Sequence, residues 1–316
     1  MKVIKSKNSQ FYSNAPSGSL SSWMSGFVDR SFKYLMIVPI TVVLIAVAVF
    51  PFLYALQLSF TNAMTVNFDS PSFTGITNYI SILTSDMFWK SVGITFSYVA
   101  LALSLQIIIG VGLAILADKI TKGRKWIVSL LITPMLISTV LAGVLFRLQL
   151  NPSFGIISYF ADKIGLGSEL LTMNNALLTV TLIDVWQWTS FIFLISFAGL
   201  KSLPVEPFEA AKVYNANTWQ TIRYVTLPLL KPILMIAVIF RMMDTFKAFD
   251  HIYMLTAGGP GDATTTFSVL TYNYAYRADH FGRASAMAVI FLIIITIITK
   301  FIMKYLMTEK KAKKSA

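Results

Sequence analysis

Residues 90–117 read KSVGITFSYVALALSLQIIIGVGLAILA, and the only charged side chain in this stretch, Lys90, stands at its first position. A helix needs about 20 apolar residues to cross the hydrocarbon core of a bilayer, which is about 30 Å thick. A soluble helix of this length would carry polar residues along one face. The stretch therefore predicts a transmembrane helix.

Apolar runs of the same kind recur along the chain. The six predicted spans are 34–60, 90–117, 126–149, 176–200, 230–255 and 284–307. Hydrophobic residues make up 56% of the sequence and charged residues 13%, well below the charged fraction of about one quarter in soluble domains. We therefore predict an all-α, polytopic membrane protein with about six transmembrane helices.

The composition also excludes several kinds of site. The chain has no cysteine, which rules out disulfides, thiolate metal sites and cysteine nucleophiles. Its two histidines, His251 and His280, are too few for a zinc site built from imidazoles. The motifs GxxxxGK[ST], HExxH and GxSxG do not occur. We therefore expect no catalytic residue, no metal site and no cofactor bound by this chain, and an intramembrane enzyme is disfavoured.

The net charge of +12 lies mostly beside the predicted spans. Lysines and arginines concentrate in residues 1–33, the 118–125 loop, the 201–229 loop and residues 308–316, all on one side of the membrane. By the positive-inside rule both termini are cytoplasmic. Because the basic residues form no single patch, we expect no nucleic-acid partner.

The predicted transmembrane domain covers residues 34–307, between a cytoplasmic N-terminal tail (1–33) and a basic cytoplasmic C-terminal tail (308–316). Apolar residues recur at helical spacing within the N-terminal tail: Leu20, Trp23, Met24, Phe27 and Val28. The pattern predicts a short helix lying in the lipid–water interface. The alternative is an irregular tail with scattered hydrophobic residues.

The longest predicted cytoplasmic loop has a helical pattern. Residues 198–232 read AGLKSLPVEPFEAAKVYNANTWQTIRYVTLPLLKP. Pro204 or Pro207 can begin a helix, and Asn215 can adopt the left-handed conformation that ends one. We therefore predict a short helix that ends at a sharp turn.

A second short helix is predicted after this turn. Thr218 can cap its beginning, and Pro228 would end it. In the first helix, Ala210 and Ala211 carry almost no side chain, so the backbone of another protein could approach closely. The loop therefore predicts two short helices that project into the cytoplasm.

The loop resembles the signature of binding-protein-dependent ABC importer permeases, which reads Glu-Ala-Ala, three residues, Gly, nine residues, Ile, one residue, Leu-Pro. At this spacing the chain has Glu209, Ala210, Ala211, Asn215, Val225, Leu227 and Pro228. Asn215 stands where the family usually has Gly, and Tyr214 stands where Asp often precedes it. Asn is the best non-glycine residue for a left-handed turn, so we expect the turn to be retained.

Further segments resemble the carbohydrate-importing branch of that family. In chain order they are FPFLY (50–54), SFT (59–61), NY (78–79), NPSFG (151–155), FDHIY (249–253), TAGGP (256–260) and FGRASA (281–286). Within them, Gly258, Gly259 and Pro260 predict an external turn. The order and intervals of these segments extend the resemblance over nearly the whole membrane region.

The resemblance implies a multi-pass permease of the bacterial inner membrane that moves a carbohydrate by alternating access. It implies a second similar permease, an extracytoplasmic solute-binding protein, and two ATPase subunits that bind ATP and magnesium. It also assigns the ATPase-coupling role to Glu209, Ala210, Ala211, Asn215, Leu227 and Pro228. The substrates of the branch include mono-, di- and oligosaccharides, polyols and glycerol phosphates, among which the sequence does not choose.

Ionisable residues recur at spacings of three or four at the end of the fifth predicted span: Arg241, Asp244, Lys247, Asp250 and His251. On one helix they would share a face. Ionisable groups at membrane depth face a protein interior or a wet cavity. Either this face lines the pathway, with Asp244 or Thr245 touching sugar hydroxyls, or its balanced charges form ion pairs that hold the span against the partner permease. The balance of charge favours ion pairs.

The fourth predicted span adds Asp184, Trp186 and Trp188, and indole rings suit the apolar faces of sugars as well as interior packing. The substrate-pathway candidates are therefore Asp184, Trp186, Trp188, Asp244, Thr245, Lys247 and Ala248. An ion-coupled secondary transporter or a channel could also use such residues. A secondary transporter has no use for an ATPase-docking helix, so the 201–229 loop favours the importer.

Overall fold

The computed structural model describes Tyr34 and residues 36–312, with side chains as far as Lys304. Within these ranges five helices are long and apolar enough to cross a membrane, and a bent helix pair makes a sixth if it is counted as one span. The prediction of an all-α fold with about six spans is confirmed. The interfacial helix predicted within residues 1–33 lies outside the described residues.

The described helices follow in chain order. They are α1 (Met36–Leu58), α2 (Thr77–Leu83), α3 (Asp86–Lys119), α4 (Arg124–Leu136), α5 (Thr139–Gln149), α6 (Ile156–Lys163), α7 (Ala176–Lys201), α8 (Glu206–Val213), α9 (Thr218–Phe246), α10 (Asp250–Thr256), α11 (Phe267–Tyr272) and α12 (Phe281–Ala312). The part of α1 as far as Ala55 forms one compact unit, and the chain from Leu56 onwards forms a second. Both sites discussed below lie in the second unit.

The third predicted span is not one straight helix. Its two parts, α4 and α5, are bent by 93° at a short break, so the predicted span over 126–149 is a bent helix pair. The turn before the break is a 3-10 helix, Thr133–Leu136, which contains Pro134. The buried amide of Gln187 donates a hydrogen bond of 2.6 Å to the carbonyl of Ile137 at the break. That bond satisfies a backbone group that the bend frees, as an apolar surrounding requires.

The fifth predicted span begins earlier and ends earlier than expected. Helix α9 is continuous from Thr218 to Phe246, so the separate second cytoplasmic helix ending at Pro228 was a wrong prediction. A π-helical turn lies directly before the proline, where Leu227 donates its N–H to the carbonyl of Ile222, five residues back. This wider turn accommodates a residue that has no N–H and whose ring crowds the preceding turn.

The cap of α9 also differs from the prediction. Asn217, and not Thr218, is the capping residue, because its side chain accepts a hydrogen bond from the N–H of Gln220. The side chain of Gln220 accepts in turn from the N–H of Asn217. This reciprocal pair satisfies two N–H groups at the helix start.

The far end of α9 breaks after Phe246, and the chain resumes a helix only at Asp250. The prediction of one helix over 230–255, with all five ionisable residues on one face, is therefore wrong. Helix α10 instead packs closely on α5, where a Cβ at Gly143 would lie 3.0 Å from the Cα of His251. The glycine allows this approach.

The centre of the second unit is the pair α3 and α7, which make the most extensive helix contact, with α9 packed against both. A Cβ at Gly110 on α3 would lie 2.9 Å from the side chain of Ile192 on α7, so the glycine permits this close crossing. Toward one end of the pair, Tyr98, Ile183 and Phe246 belong to the largest buried cluster. Three helices therefore surround the buried polar groups described next.

Candidate functional site

Helix α8 carries the Glu-Ala-Ala motif. Pro207 lies in its first turn, as one of the two predicted starting prolines, and Glu209 follows in the same turn. Glu209 and Ala210 are exposed, whereas Ala211 is half-buried. The helix thus presents a carboxylate and a nearly bare stretch of backbone at its surface.

The end of α8 is a tight left-handed turn. Asn215 has a φ of 55°, which confirms the predicted conformation. Its N–H bonds to the carbonyl of Lys212, and the N–H of Ala216 bonds to the carbonyl of Ala211 at 2.9 Å. This pair of bonds is a Schellman motif, and it satisfies carbonyls that the helix end would otherwise leave without partners.

Leu227 and Pro228 do not belong to α8. Both are exposed residues of α9, just after its π-helical turn. The structure therefore divides the six predicted coupling residues between the short helix, its terminal turn and the first part of a membrane span.

The predicted external turn is built on hydrogen bonds to its backbone. Gly258 has a φ of 98°, and a Cβ there would lie 2.7 Å from Oγ1 of Thr265. Thr265 donates to the carbonyl of Gly258, and Thr264 donates to the carbonyl of Gly259, both at 2.9 Å. With Pro260 following, this turn is a fixed element that connects α10 to α11.

A buried ion pair connects α9 to α7. Nη2 of Arg241 lies 2.7 and 2.6 Å from the two carboxylate oxygens of Asp184, and the two side chains are only 2% and 1% exposed. Gln106 of α3 completes the group, because it accepts from Nε of Arg241 at 3.0 Å and donates to Asp184 at 2.8 Å. Every polar group in this triangle has a partner, as burial requires.

Arg241 also reaches out of the buried triangle. Its Nη1 donates to Asp244 at 2.7 Å, and the Asp244 side chain is 50% exposed. The ring of Trp188 covers the guanidinium, with the Cζ atom 4.8 Å from the ring centroid. One cation therefore joins a buried carboxylate to a half-exposed one.

A second buried contact lies beside the triangle. His251 places Nε2 2.9 Å from the hydroxyl of Tyr98 and 3.8 Å from Oδ1 of Asp184. His251 comes from α10 and Tyr98 from α3, so the polar group joins four helices. It fixes the geometry around the break between α9 and α10.

A cavity of about 280 Å³ opens beside these groups. Its lining residues are Thr139, Asp184, Trp188, Arg241, Asp244, Lys247, Ala248, Phe249, Asp250 and His251. Five of the seven pathway candidates therefore meet in one place. Trp186 instead packs edge-on against Phe146 outside this cavity, and Thr245 is buried with its hydroxyl bonded to the carbonyl of Arg241.

The ion pairs differ from the predicted ones. Arg241 finds both of its carboxylate partners within this chain, so its pairing holds α9 to α7 and not to a partner permease. Asp250 accepts a hydrogen bond of 2.7 Å from Thr139. Lys247 is exposed and forms no ion pair within the part of the chain that the structure describes. The charges therefore divide into a buried structural pair and groups that face the cavity.

Sequence reasoning missed Gln106 and Tyr98. Both are polar side chains in an otherwise apolar span, and that alone is a signal, since such groups normally face a protein interior. Their spacing of eight residues also places them near the same side of α3. Among the described residues no cluster of three or more His, Asp and Glu side chains could hold a metal ion.

The family profile "Binding-protein-dependent transport system inner membrane component" matches residues 106–309, which is more than half of the chain. The chain belongs to this family. It is therefore a multi-pass membrane permease, a transport component and not an enzyme. The match includes the Glu-Ala-Ala helix and every group of the polar cavity.

Individual relatives agree with this family assignment. The trehalose/maltose transport system permease protein MalF of Thermococcus litoralis is 32% identical over 84% of this chain and 90% of its own. The trehalose transport system permease protein SugA of Mycobacterium tuberculosis (strain H37Rv) is 29% identical over 84% and 85%. The permease also shares its fold with a chain of a bacterial ABC transporter that imports alginate, with a TM-score of 0.77, 20% identity, and coverage of 90% and 98%.

Proposed function

We propose that this permease carries a sugar or oligosaccharide across a bacterial inner membrane, from an extracytoplasmic solute-binding protein to the cytoplasm. The similarity to the trehalose and maltose permeases, which extends over most of each chain, supports a carbohydrate substrate. The family is defined by its dependence on a binding protein, which supports that partner. A second permease and two ATPases that bind ATP and magnesium complete the proposed transporter.

The observation that carries the coupling proposal is the surface of α8. Glu209 and Ala210 are exposed on α8, and the left-handed turn at Asn215 ends this helix. We propose that Glu209, Ala210 and Ala211 contact an ATPase. Because α9 begins at Thr218, only three residues after Asn215, a displacement of α8 moves the first turns of a membrane span directly. Binding of ATP at the partner would thus bias the membrane region between two states.

The proposed sugar pathway passes the polar cavity. Asp244 offers carboxylate acceptors and Lys247 offers ammonium donors, which together suit the hydroxyl groups of a sugar. Trp188 offers an aromatic face, although its ring is already stacked on Arg241. The buried pair of Arg241 and Asp184 would hold these groups in place without contacting the sugar itself.

The transport function is tested with the assembled transporter in proteoliposomes that contain the binding protein and a labelled sugar. Uptake should require ATP hydrolysis, so an ATPase variant that binds ATP without hydrolysing it should abolish uptake. Uptake that persists with this variant and follows a sodium or proton gradient would instead support an ion-coupled secondary transporter.

The cavity assignment is tested with Lys247→Gln. Loss of a hydrogen bond to a charged group should weaken apparent sugar affinity about tenfold or more, without loss of the folded complex. Lys163→Gln, which removes an exposed lysine from α6, is the matched control. Equal affinities in the two variants would remove Lys247 from the pathway.

A further inference from the structure

A second cavity, larger than the polar cavity, lies beside α8. It measures about 550 Å³ and is enclosed by the last turns of α3 and α7 on one side and by α8 and the start of α9 on the other. These elements all lie at the end of the molecule that the positive-inside rule assigns to the cytoplasm. The cavity therefore lies on the cytoplasmic side of the permease, next to the ends of two membrane spans.

The charge of this cavity is positive. Lys119 of α3, Lys201 of α7 and Lys212 of α8 line it, and Asp118 is the one carboxylate in the lining. Asp118 pairs with Lys201. Neither Lys119 nor Lys212 forms an ion pair within residues 36–304, so two lysine charges from different helices remain unmatched. Such an arrangement favours an anion.

The remaining walls are partly apolar and partly favourable to phosphate. Ile115, Leu200, Phe208 and Ile222 supply apolar side chains from four elements. Thr218 lies in the first turn of α9, where the positive end of a long helix favours a negative group. An amphiphile with a phosphate group matches both features.

Of the three proposed docking residues on α8, Ala210 faces away from the cavity, whereas Glu209 and Ala211 lie beside its lining, three positions from Lys212 and Phe208 respectively. The cavity-lining residues Val205, Phe208 and Lys212 are spaced by three and four, so they share one side of the helix. Ala210 is two positions from both Phe208 and Lys212, which turns it to the other side. A ligand in the cavity could therefore contact α8 while Ala210 stays free to meet the ATPase.

We infer that this cavity binds a phosphate group, and that the bound phosphate holds α8 against the ends of α3 and α7. The inference rests on the proposed coupling role of α8. Lys119 of α3 and Lys212 of α8 would donate to the phosphate, and Lys201 of α7, which is paired with Asp118, would add a third positive charge beside it. The phosphate belongs either to an anionic phospholipid of the cytoplasmic leaflet or to a soluble phosphate compound, which have this chemistry in common.

Binding is measured by native mass spectrometry on the assembled transporter in detergent. The probes are phosphatidylglycerol, phosphatidylcholine and inorganic phosphate. The double variant Lys119→Gln/Lys212→Gln should bind phosphatidylglycerol about 25-fold more weakly, since a lysine near an anionic surface contributes about fivefold. The control Lys122→Gln/Lys125→Gln, called the loop variant below, removes two exposed lysines, one from the loop before α4 and one from the first turn of α4, and should bind as the wild type does.

The source of the phosphate follows from the probes. The double variant Lys119→Gln/Lys212→Gln is called the cavity variant. A preference for phosphatidylglycerol over phosphatidylcholine that is lost only in the cavity variant supports a lipid headgroup. Saturable binding of inorganic phosphate with the same dependence, and no preference between the lipids, supports a soluble compound. Equal affinities of the cavity variant and the loop variant for every probe would overturn the site.

The claim that the phosphate holds α8 in place is tested by a second measurement. This is the amount of ATPase that stays bound to the permease after purification from phosphatidylglycerol vesicles. Retention should fall in the cavity variant and stay at the wild-type level in the loop variant. Weakened binding with unchanged retention would overturn the claim that the phosphate holds α8. Because binding is scored without transport, an absence of ATP-dependent uptake would contradict the proposed function and leave the site itself standing.

Discussion

At the scale of single residues, Arg241 is held on two sides by carboxylates. It is 2% exposed, and its charge is divided between buried Asp184 and half-exposed Asp244. Breaking such a pair leaves a buried charge without compensation, which costs more than the pair itself contributes. The two partners are not equivalent, because Arg241 has a second carboxylate and Asp184 has no second arginine in its described surroundings.

Arg241→Gln is therefore expected to lower the free energy of unfolding more than Asp184→Asn does. In the first variant Asp184 stays buried and charged, at a cost of about 3–5 kcal/mol. In the second, Arg241 keeps Asp244 and Gln106. Denaturation of the purified complex, followed by tryptophan fluorescence, measures both. The double variant should lose less than the sum of the single losses. Equal single losses, or additive ones, would contradict this account of the pair.

Asn215 gives a second prediction at this scale. Its φ of 55° is strained for a residue with a branched Cβ, whereas glycine adopts it freely. Asn215→Gly should keep the amount of bound ATPase at the wild-type level, and Asn215→Val should reduce it. Co-purification of the ATPase with equal amounts of each variant is the measurement. Wild-type retention in Asn215→Val would mean that the turn does not position α8.

The sequence identified most cavity residues but not their partners. Asp184 and Arg241 stand out because charged side chains are rare in apolar spans. Their contact joins residues 57 positions apart, and Gln106 is 135 positions from Arg241. The arrangement depends on how three helices pack, and no local pattern contains that information.

At the scale of elements, apolar length predicts that a span exists, whereas its bends depend on tertiary contacts. Pro134 was visible in the sequence, but the 93° bend is completed by Gln187 from another helix. The break after Phe246 follows a run of residues with no proline or glycine. Pro228 had the opposite effect, since a π-helical turn allows the helix to continue. Prolines in the sequence therefore do not by themselves predict where these helices bend or end. Contacts with other helices and a wider helical turn decide it.

The decisive test at this scale concerns α8. Ala210→Trp places a large side chain on the exposed side, away from the cavity and the membrane core, so the protein should stay folded. If the bare backbone of α8 contacts the ATPase, this change should reduce ATPase retention and uptake together. Ala211→Trp should act in the same direction, although Ala211 is half-buried and some local repacking accompanies it.

Ala278→Trp is the control for Ala210→Trp, because it adds the same side chain at an exposed alanine after α11. It should leave ATPase retention unchanged. Full retention and full uptake in Ala210→Trp would place the docking surface elsewhere. Loss of the folded permease in Ala278→Trp but not in Ala210→Trp would show that α8 tolerates bulk better than other exposed segments.

At the scale of the whole molecule, α9 joins the two sites. It begins beside the coupling turn, and near its other end it carries Arg241 and Asp244 at the polar cavity. Its first turns pack against α8, while its last turns are held by the pair with Asp184. A displacement at the cytoplasmic end therefore reaches the cavity along one continuous helix.

The last prediction concerns the partner permease. Two copies of this chain around a two-fold axis would present the same cavity residues to each other and build a symmetric pathway. A reducing sugar such as maltose has no two-fold symmetry, so one asymmetric site fits it better than two equivalent half-sites. We therefore expect one copy of this chain to pair with a different permease, above two ATPases. Tagged purification from cells that produce both permeases, followed by native mass measurement, should give one copy of each. A stable, substrate-stimulated transporter with this chain as its sole membrane subunit would contradict the unlike pair.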